Sequence, residues 1–237
     1  HDECEILATP LQDTILSLRA MLQDSKDFHG CIPILNSLLE PPLMDNIEKS
    51  FGVLHSSNMI TKSNDDGELT PAGYVASQLP IDLNISRLVL FGILLGVGTE
   101  AAILASALSQ PKTVFKQSTR FYCHNPDKLH DMTGQTLLGG LDLDKGMYSG
   151  PLAMLSLYIH VKSKCFGRGG SSDNNNNAQR IWMDKHSLVK TRVMQFISNA
   201  DYMIDSVNKA LSSQAQLYGG TSKGKQRNQK NRNAASD

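Results

Sequence analysis

The sequence contains few of the residues that identify small disulfide-bonded, zinc-binding or membrane proteins. Its 237 residues include four cysteines, and none of them forms a Cys-x-x-Cys pair. Scattered cysteines fit a reducing compartment and argue against a disulfide scaffold or a zinc ribbon. The longest apolar stretch, residues 88–97, is interrupted by Gly92 and Gly96, so it is too short to span a bilayer. We therefore expect an intracellular chain, nuclear or cytoplasmic, with no membrane segment.

The sequence also lacks an excess of charge of either sign, with 23 basic and 23 acidic residues. Five of the basic residues lie in the last fifteen positions, where the only acid is Asp237. The rest of the chain therefore has 18 basic and 22 acidic residues. A body with a net negative charge does not attract nucleic acid over its whole surface. Any nucleic-acid binding must come from a local patch.

Motifs for catalysis and metal binding are missing as well. Gly219–Gln226 has the G-x-x-x-x-G-K spacing of a phosphate-binding loop, but Gln stands at its last position, where a Ser or Thr would bind magnesium. Four residues of the types that bind metals occur between positions 123 and 131, but their spacing matches no common zinc site. They are Cys123, His124, His130 and Asp131. We predict no catalytic residue, no metal site and no cofactor in this chain.

The pattern of residues 36–80 predicts a winged helix. An amphipathic helix follows the proline pair at 41–42, and Ser63–Gly67 is a strong turn signal between two short strands. Thr70 and Pro71 then supply an N-cap and a first helical residue for a further helix. Helix, hairpin and helix in this order form the core of a winged helix.

The remaining residues predict a mainly α chain. Residues 1–35 contain one short helix and a linker, and residues 81–217 form a helical bundle. We expect an asparagine-rich insertion at 167–177 and a polar, basic tail at 218–237 to be disordered.

Within the bundle, the apolar helices predicted at 85–97 and 99–109 have no polar face, so we expect them in its core. A helix starting at Asn125-Pro126 is predicted to reach Met132. Residues 134–150 are predicted to be rich in loops.

The best candidate for contact with nucleic acid follows the second of these apolar helices. Lys112, Lys116 and Arg120 occur there among aromatic residues. Basic side chains neutralise phosphates, whereas aromatic rings either stack on bases or pack in a core. Two interpretations stay open, a segment that contacts a nucleic-acid strand and a solvated loop with buried aromatics. We interpret Trp182 as a core residue rather than as a stacking platform.

Four short motifs occur in order along the chain. They are Leu39-Glu40-Pro41-Pro42, Leu69-Thr70-Pro71-Ala72-Gly73, Leu79-Pro80, and Trp182 with His186 and Leu188. Each is weak alone, but their order over residues 4–212 resembles the C-terminal helicase-associated region of DEAH/RHA-type (DExH-box) RNA helicases. The resemblance implies the end of a second RecA-like domain at 1–35, then a winged helix and a helical bundle called the ratchet.

The sequence departs from this family at three places. Gly150-Pro151 stands where the family often has a polar pair, the bundle contains the asparagine-rich insertion, and a basic tail follows Leu217, where the family usually continues into an OB-like domain.

The resemblance also implies a longer parent protein, since the chain begins at His1 and contains no DExH sequence. Upstream RecA-like motor domains would bind ATP and Mg²⁺ and move 3′ to 5′ along single-stranded RNA. This part would grip the strand, with Lys112, Lys116 and Arg120 beside the RNA channel, and the winged helix would offer a surface to a protein activator. The alternative is an adaptor without a motor that binds RNA or protein.

Overall fold

The structure, a computed structural model, describes residues 10–22, 30–117, 125–165 and 172–233. Within these ranges it is mainly helical, as predicted, and β-pairing is limited to isolated bridges. None of the described helices is long and apolar enough to cross a membrane. The helices are α1 (Gln12–Leu22), α2 (Ile32–Asn36), α3 (Met44–Ser56), α4 (Pro71–Ser77), α5 (Leu83–Leu94), α6 (Gly98–Leu108), α7 (Pro126–Asp144), α8 (Gly150–Cys165), α9 (Ser172–Lys185) and α10 (Lys190–Asn233).

The chain divides into two compact units. The first comprises His1–Leu90 and Asp205–Asp237, and the second comprises Phe91–Ile204. The domain boundaries that we derive from the sequence, at residues 35, 80 and 217, stay predictions.

The core of the first unit is built by α1, α3 and the residues around a short hairpin. Ile47, Phe51 and Leu54 lie on one face of α3 at the spacing of an amphipathic helix, and all three are buried. They pack with Ile15 of α1 and with Met59 at the start of the hairpin. This single apolar cluster holds the unit together.

The predicted hairpin consists of one antiparallel bridge between Ile60 and Leu69. Backbone hydrogen bonds flank it, from Thr61 N to Glu68 O at 2.9 Å and from Thr70 N to Met59 O at 3.0 Å. The helix start predicted at Thr70-Pro71 is confirmed, because Thr70 Oγ1 accepts a hydrogen bond from Gly73 N at 3.0 Å and α4 begins at Pro71. The assignment of these elements to a winged helix stays a prediction.

A buried arginine fixes the turn of this hairpin to α1. Arg19 donates to the backbone carbonyls of Gly67 and Asp65, and its Nη2 lies 3.0 Å from Asp65 Oδ1. The same carboxylate accepts hydrogen bonds from Cys31 N at 2.7 Å and Ile32 N at 3.0 Å at the start of α2. One ion pair therefore connects α1, α2 and the hairpin turn.

The core of the second unit is formed by the apolar faces of α8 and α10, and α8 also packs against α6 and α7. Leu157 and Val161 on α8, and Val193 and Phe196 on α10, are fully buried. Val114, in the segment that follows α6, belongs to the same cluster. The candidate segment is therefore attached to this core.

The prediction that residues 134–150 are rich in loops holds for the turn at 145–149 but is wrong for residues 134–144, because α7 continues to Asp144. Glycine does not interrupt the helix there, and Gly139 instead allows a close approach between two backbones. A Cβ at position 139 would lie 2.5 Å from the carbonyl oxygen of His186. Sequence patterns cannot separate a glycine that breaks a helix from one that packs it closely.

The two apolar helices also differ from expectation. They are observed as α5 and α6, close to the predicted bounds, but the turn between them is not in a core. Phe91, Leu94 and Leu95 are 57%, 81% and 79% exposed. A helix without a polar face can therefore leave apolar side chains on the surface at its end.

The structure gives a helical backbone to parts of both segments that we predict to be disordered. The helix α9 begins at Ser172, inside the insertion, and α10 extends through Asn233, inside the tail. In the tail, the helix continues one that is already anchored by its buried N-terminal half, although the tail contains three glycines, which are weak helix formers.

Candidate nucleic-acid interface

The candidate segment begins directly after α6, and the structure describes it as far as Gln117. Lys112 is exposed, and the described residues provide it with no ion pair. Lys116 is half-buried. Arg120, the third predicted basic residue, lies outside the described residues together with Phe121 and Tyr122.

The backbone of this segment pairs with the turn between α9 and α10. An antiparallel bridge joins Phe115 to Leu188. Lys116 N donates to Ser187 O at 2.7 Å, and Val189 N donates to Val114 O at 2.8 Å. Three consecutive residues are thereby held against a turn that lies some seventy positions later in the sequence.

Side chains fix the segment at two further points. Thr136 Oγ1 on α7 lies 3.1 Å from the carbonyl oxygen of Lys116 and 2.9 Å from that of Met132, so its hydroxyl hydrogen is shared between them. Arg192 Nη1 on α10 donates to the carbonyl oxygen of Thr113 at 3.0 Å. Lys112 and Lys116 therefore project from a backbone whose position is determined by α7 and α10.

Lys116 already has an anionic partner on α9. Its Nζ lies 2.8 Å from Asp184 Oδ1, and the two side chains are 42% and 58% exposed. The hydrogen bond from Lys116 and the attraction of its charge hold the pKa of the Asp184 carboxyl below its ordinary value. Asp184 is therefore charged at neutral pH, and a phosphate that binds Lys116 has to share the ammonium group with it or displace it.

The motif of Trp182, His186 and Leu188 lies next to this segment, because Leu188 is the residue that pairs with Phe115. The indole of Trp182 stacks on the ring of His160 with centroids 4.1 Å apart and planes 9° from parallel. His186 Nδ1 lies 2.8 Å from Trp182 O, and its Nε2 lies 2.8 Å from Asp142 Oδ2. Trp182 also packs against the core of the second unit. These contacts support the interpretation of Trp182 as a structural residue, because a protein ring occupies one face of the indole.

The four residues of metal-ligand type are not brought together where the structure describes them. His130 and Asp131 are exposed on α7, and Cys123 and His124 lie outside the described residues. Across the described part of the chain, no three His, Cys, Asp or Glu side chains form a group that could hold a metal ion.

Sequence reasoning misses two residues at this interface, Asp184 and Arg192. Both lie more than sixty positions from the segment that they contact. The one available signal is the pair of basic residues Lys190 and Arg192 in the first turn of α10, where acidic residues are usually preferred.

The chain is similar in sequence to proteins named as RNA helicases. No protein-family model matches it. It is 26% identical over 192 residues to the probable ATP-dependent RNA helicase spindle-E of Culex quinquefasciatus, a match that covers 78% of this chain and 12% of that protein. It is 32% identical over 110 residues to the ATP-dependent RNA helicase TDRD9 of Danio rerio, covering 44% of this chain and 8% of that protein.

A third relative, the probable ATP-dependent RNA helicase spindle-E of Drosophila melanogaster, is 31% identical over 113 residues, covering 45% of this chain and 8% of that protein. The chain thus spans only 8–12% of the length of these relatives. All three are RNA helicases by name, which supports a helicase-related role for this chain.

Proposed function

We propose that this chain is the strand-gripping part of a larger ATP-dependent RNA helicase. In this proposal it is the C-terminal helicase-associated region of a DEAH/RHA-type enzyme and contains its winged helix and ratchet bundle. RecA-like motor domains in the same parent chain bind ATP and Mg²⁺ and step 3′ to 5′ along single-stranded RNA. The 237-residue chain holds the strand beside them and has no hydrolytic role of its own.

The observation that carries the proposal is the fixed position of Lys112 and Lys116. The backbone from Thr113 to Lys116 is hydrogen-bonded to α7, to α10 and to the turn before α10. A basic segment that is already ordered loses little conformational entropy when it binds a strand. Lysine contacts phosphate as a point charge and does not read base edges, which suits an enzyme that moves along many sequences.

The charge distribution determines how steeply RNA binding should depend on salt concentration. The body of the chain has no basic excess, so we expect contact with few phosphates. If Lys112 and Lys116 neutralise two phosphates of a single strand, log K falls with log salt at a slope of about −1.4. This salt dependence is shallow. A general nucleic-acid-binding protein, which neutralises many phosphates, would show a much steeper slope.

The test is RNA binding by the 237-residue chain, measured by fluorescence anisotropy with a labelled oligouridine at several salt concentrations. Lys112→Ala with Lys116→Ala should weaken binding and make the salt slope shallower by up to about 1.4. Lys49→Ala with Lys209→Ala is the matched control, because it removes two exposed lysines of the first unit and leaves the segment intact.

Equal losses in the two double variants would mean that binding depends on overall charge and would contradict the assignment of the segment. An unaltered chain that binds no RNA would contradict the proposal itself and favour the adaptor alternative.

A further inference from the structure

Arg192 lies over the candidate segment and is not among the residues that the sequence predicts to contact RNA. Its Nη1 donates to Thr113 O at 3.0 Å, so the guanidinium group is next to the backbone of the residue that follows Lys112. The Arg192 side chain is partly buried, and Lys112 is exposed. Both belong to the second unit, so their positions are described within a single compact body.

The charge of Arg192 is not neutralised by any described carboxylate. Lys116, the neighbouring basic residue of the segment, is paired with Asp184, whereas the ion pairs among the described residues do not include Arg192. The first turn of α10 contains no acidic residue. A cation in the first turn of a helix is repelled by the helix dipole, so an external anion would relieve an unfavourable arrangement.

The guanidinium group also retains unused donors. Arginine has five N–H donors in a planar fork, and the described contact engages Nη1 alone. A fork of this kind matches two oxygens of a phosphate, and Lys112 supplies a second positive charge on the neighbouring residue of the segment. The side chains, rather than the end of the helix, form the site.

We propose that Arg192 binds a backbone phosphate of single-stranded RNA together with Lys112. This inference rests on the proposed function and adds α10 to the strand-contacting surface. The hydrogen bond to Thr113 O orients the guanidinium group, and its remaining donors face the phosphate. Lys116 contributes less, because Asp184 offsets its charge.

The test compares Arg192→Gln with Arg192→Lys in the same anisotropy titrations. Gln stays polar but loses the charge, so binding should weaken about fivefold and the salt slope should become shallower by about 0.7. Lys keeps the charge but loses the fork, so the slope should stay unchanged while affinity falls about twofold. Lys209→Gln, an exposed cation elsewhere on α10, is the control and should leave both values unchanged.

The outcomes separate this inference from the proposed function. If Lys112→Ala with Lys116→Ala weakens binding and Arg192→Gln does not, the segment contacts RNA and Arg192 only supports Thr113. If none of the three substitutions changes RNA binding, the segment is not the interface and both proposals fail. Addition of polyglutamate identifies the ligand, since release of RNA by an equal concentration of carboxylate would show a site for acidic protein segments and overturn the inference.

Discussion

The two units each use an arginine to hold a loop, but the two arginines are in opposite environments. Arg19 is 4% exposed and donates to the backbone carbonyls of three residues in the hairpin turn and to the Asp65 carboxylate, which itself accepts two backbone N–H groups. Arg192 is only partly buried, donates to one carbonyl and has no carboxylate partner among the described residues. A buried cation needs an anionic partner and several hydrogen-bond acceptors, because its desolvation is costly. An accessible cation with donors left over can bind a ligand.

The comparison predicts the largest effect at Arg19. Arg19→Met leaves Asp65 partly buried without its counter-charge and should lower the free energy of unfolding by about 3–5 kcal/mol. Urea denaturation followed by far-UV circular dichroism measures this change. Arg192→Met is the control and should cost only about 0.5–1.5 kcal/mol, because it removes one hydrogen bond to Thr113 O and no ion pair.

A double-mutant cycle with Asp65→Asn sharpens this prediction. If Arg19 and Asp65 act as one unit, the double variant loses much less stability than the sum of the two single variants. Additive losses would mean that Arg19 acts mainly through the carbonyls of Asp65 and Gly67.

Two glycines on α7 give the second prediction, an intermediate effect in the second unit. Gly139→Ala places a Cβ 2.5 Å from the carbonyl oxygen of His186, so α7 and the turn before α10 must separate, at a cost of about 1–3 kcal/mol. Gly134→Ala, on the same helix, meets no atom within 4 Å and should stabilise the chain by about 0.5–1 kcal/mol.

Thermal unfolding followed by the fluorescence of Trp182, the one tryptophan in the chain, measures both variants. Similar effects from the two substitutions would show that α7 does not approach the turn as closely as described. RNA binding by Gly139→Ala should also weaken, because the segment from Val114 to Lys116 pairs with that turn.

The sequence is sufficient for features that depend on neighbouring residues. Thr70 and Pro71 predict the start of α4, the turn signal at Ser63–Gly67 predicts the hairpin, and the basic residues after α6 single out the candidate segment. Each of these depends on a few adjacent positions, where capping, turn propensity and charge can be read directly.

Features that depend on distant contacts could not be predicted in this way. Gly139 resembles a helix breaker until the carbonyl of His186 is known to lie beside it. Asp184 and Arg192 are ordinary helix residues in the sequence, and they reach the segment only because a bridge brings Phe115 to Leu188. Whether a basic residue is paired or available is therefore a property of the fold.

The smallest predicted effect concerns Asp184. This carboxylate pairs with Lys116, whereas Arg192 has no such partner among the described residues. Asp184→Asn removes the carboxylate that shares the Lys116 ammonium group, so RNA affinity should rise about twofold to fivefold, and the salt slope should steepen by up to about 0.7. The control Asp205→Asn removes an exposed carboxylate from the other unit and should leave the slope unchanged.

The pH dependence of this gain follows from the lowered pKa of Asp184. Because Lys116 holds that pKa below its ordinary value, the carboxylate is present throughout neutral pH and is lost only in strong acid. The gain in affinity from Asp184→Asn should therefore be the same at about pH 6 and about pH 8. A loss of affinity instead would mean that Asp184 orients Lys116 toward the strand, and the distinction between a paired lysine and an available arginine would then not hold at this interface.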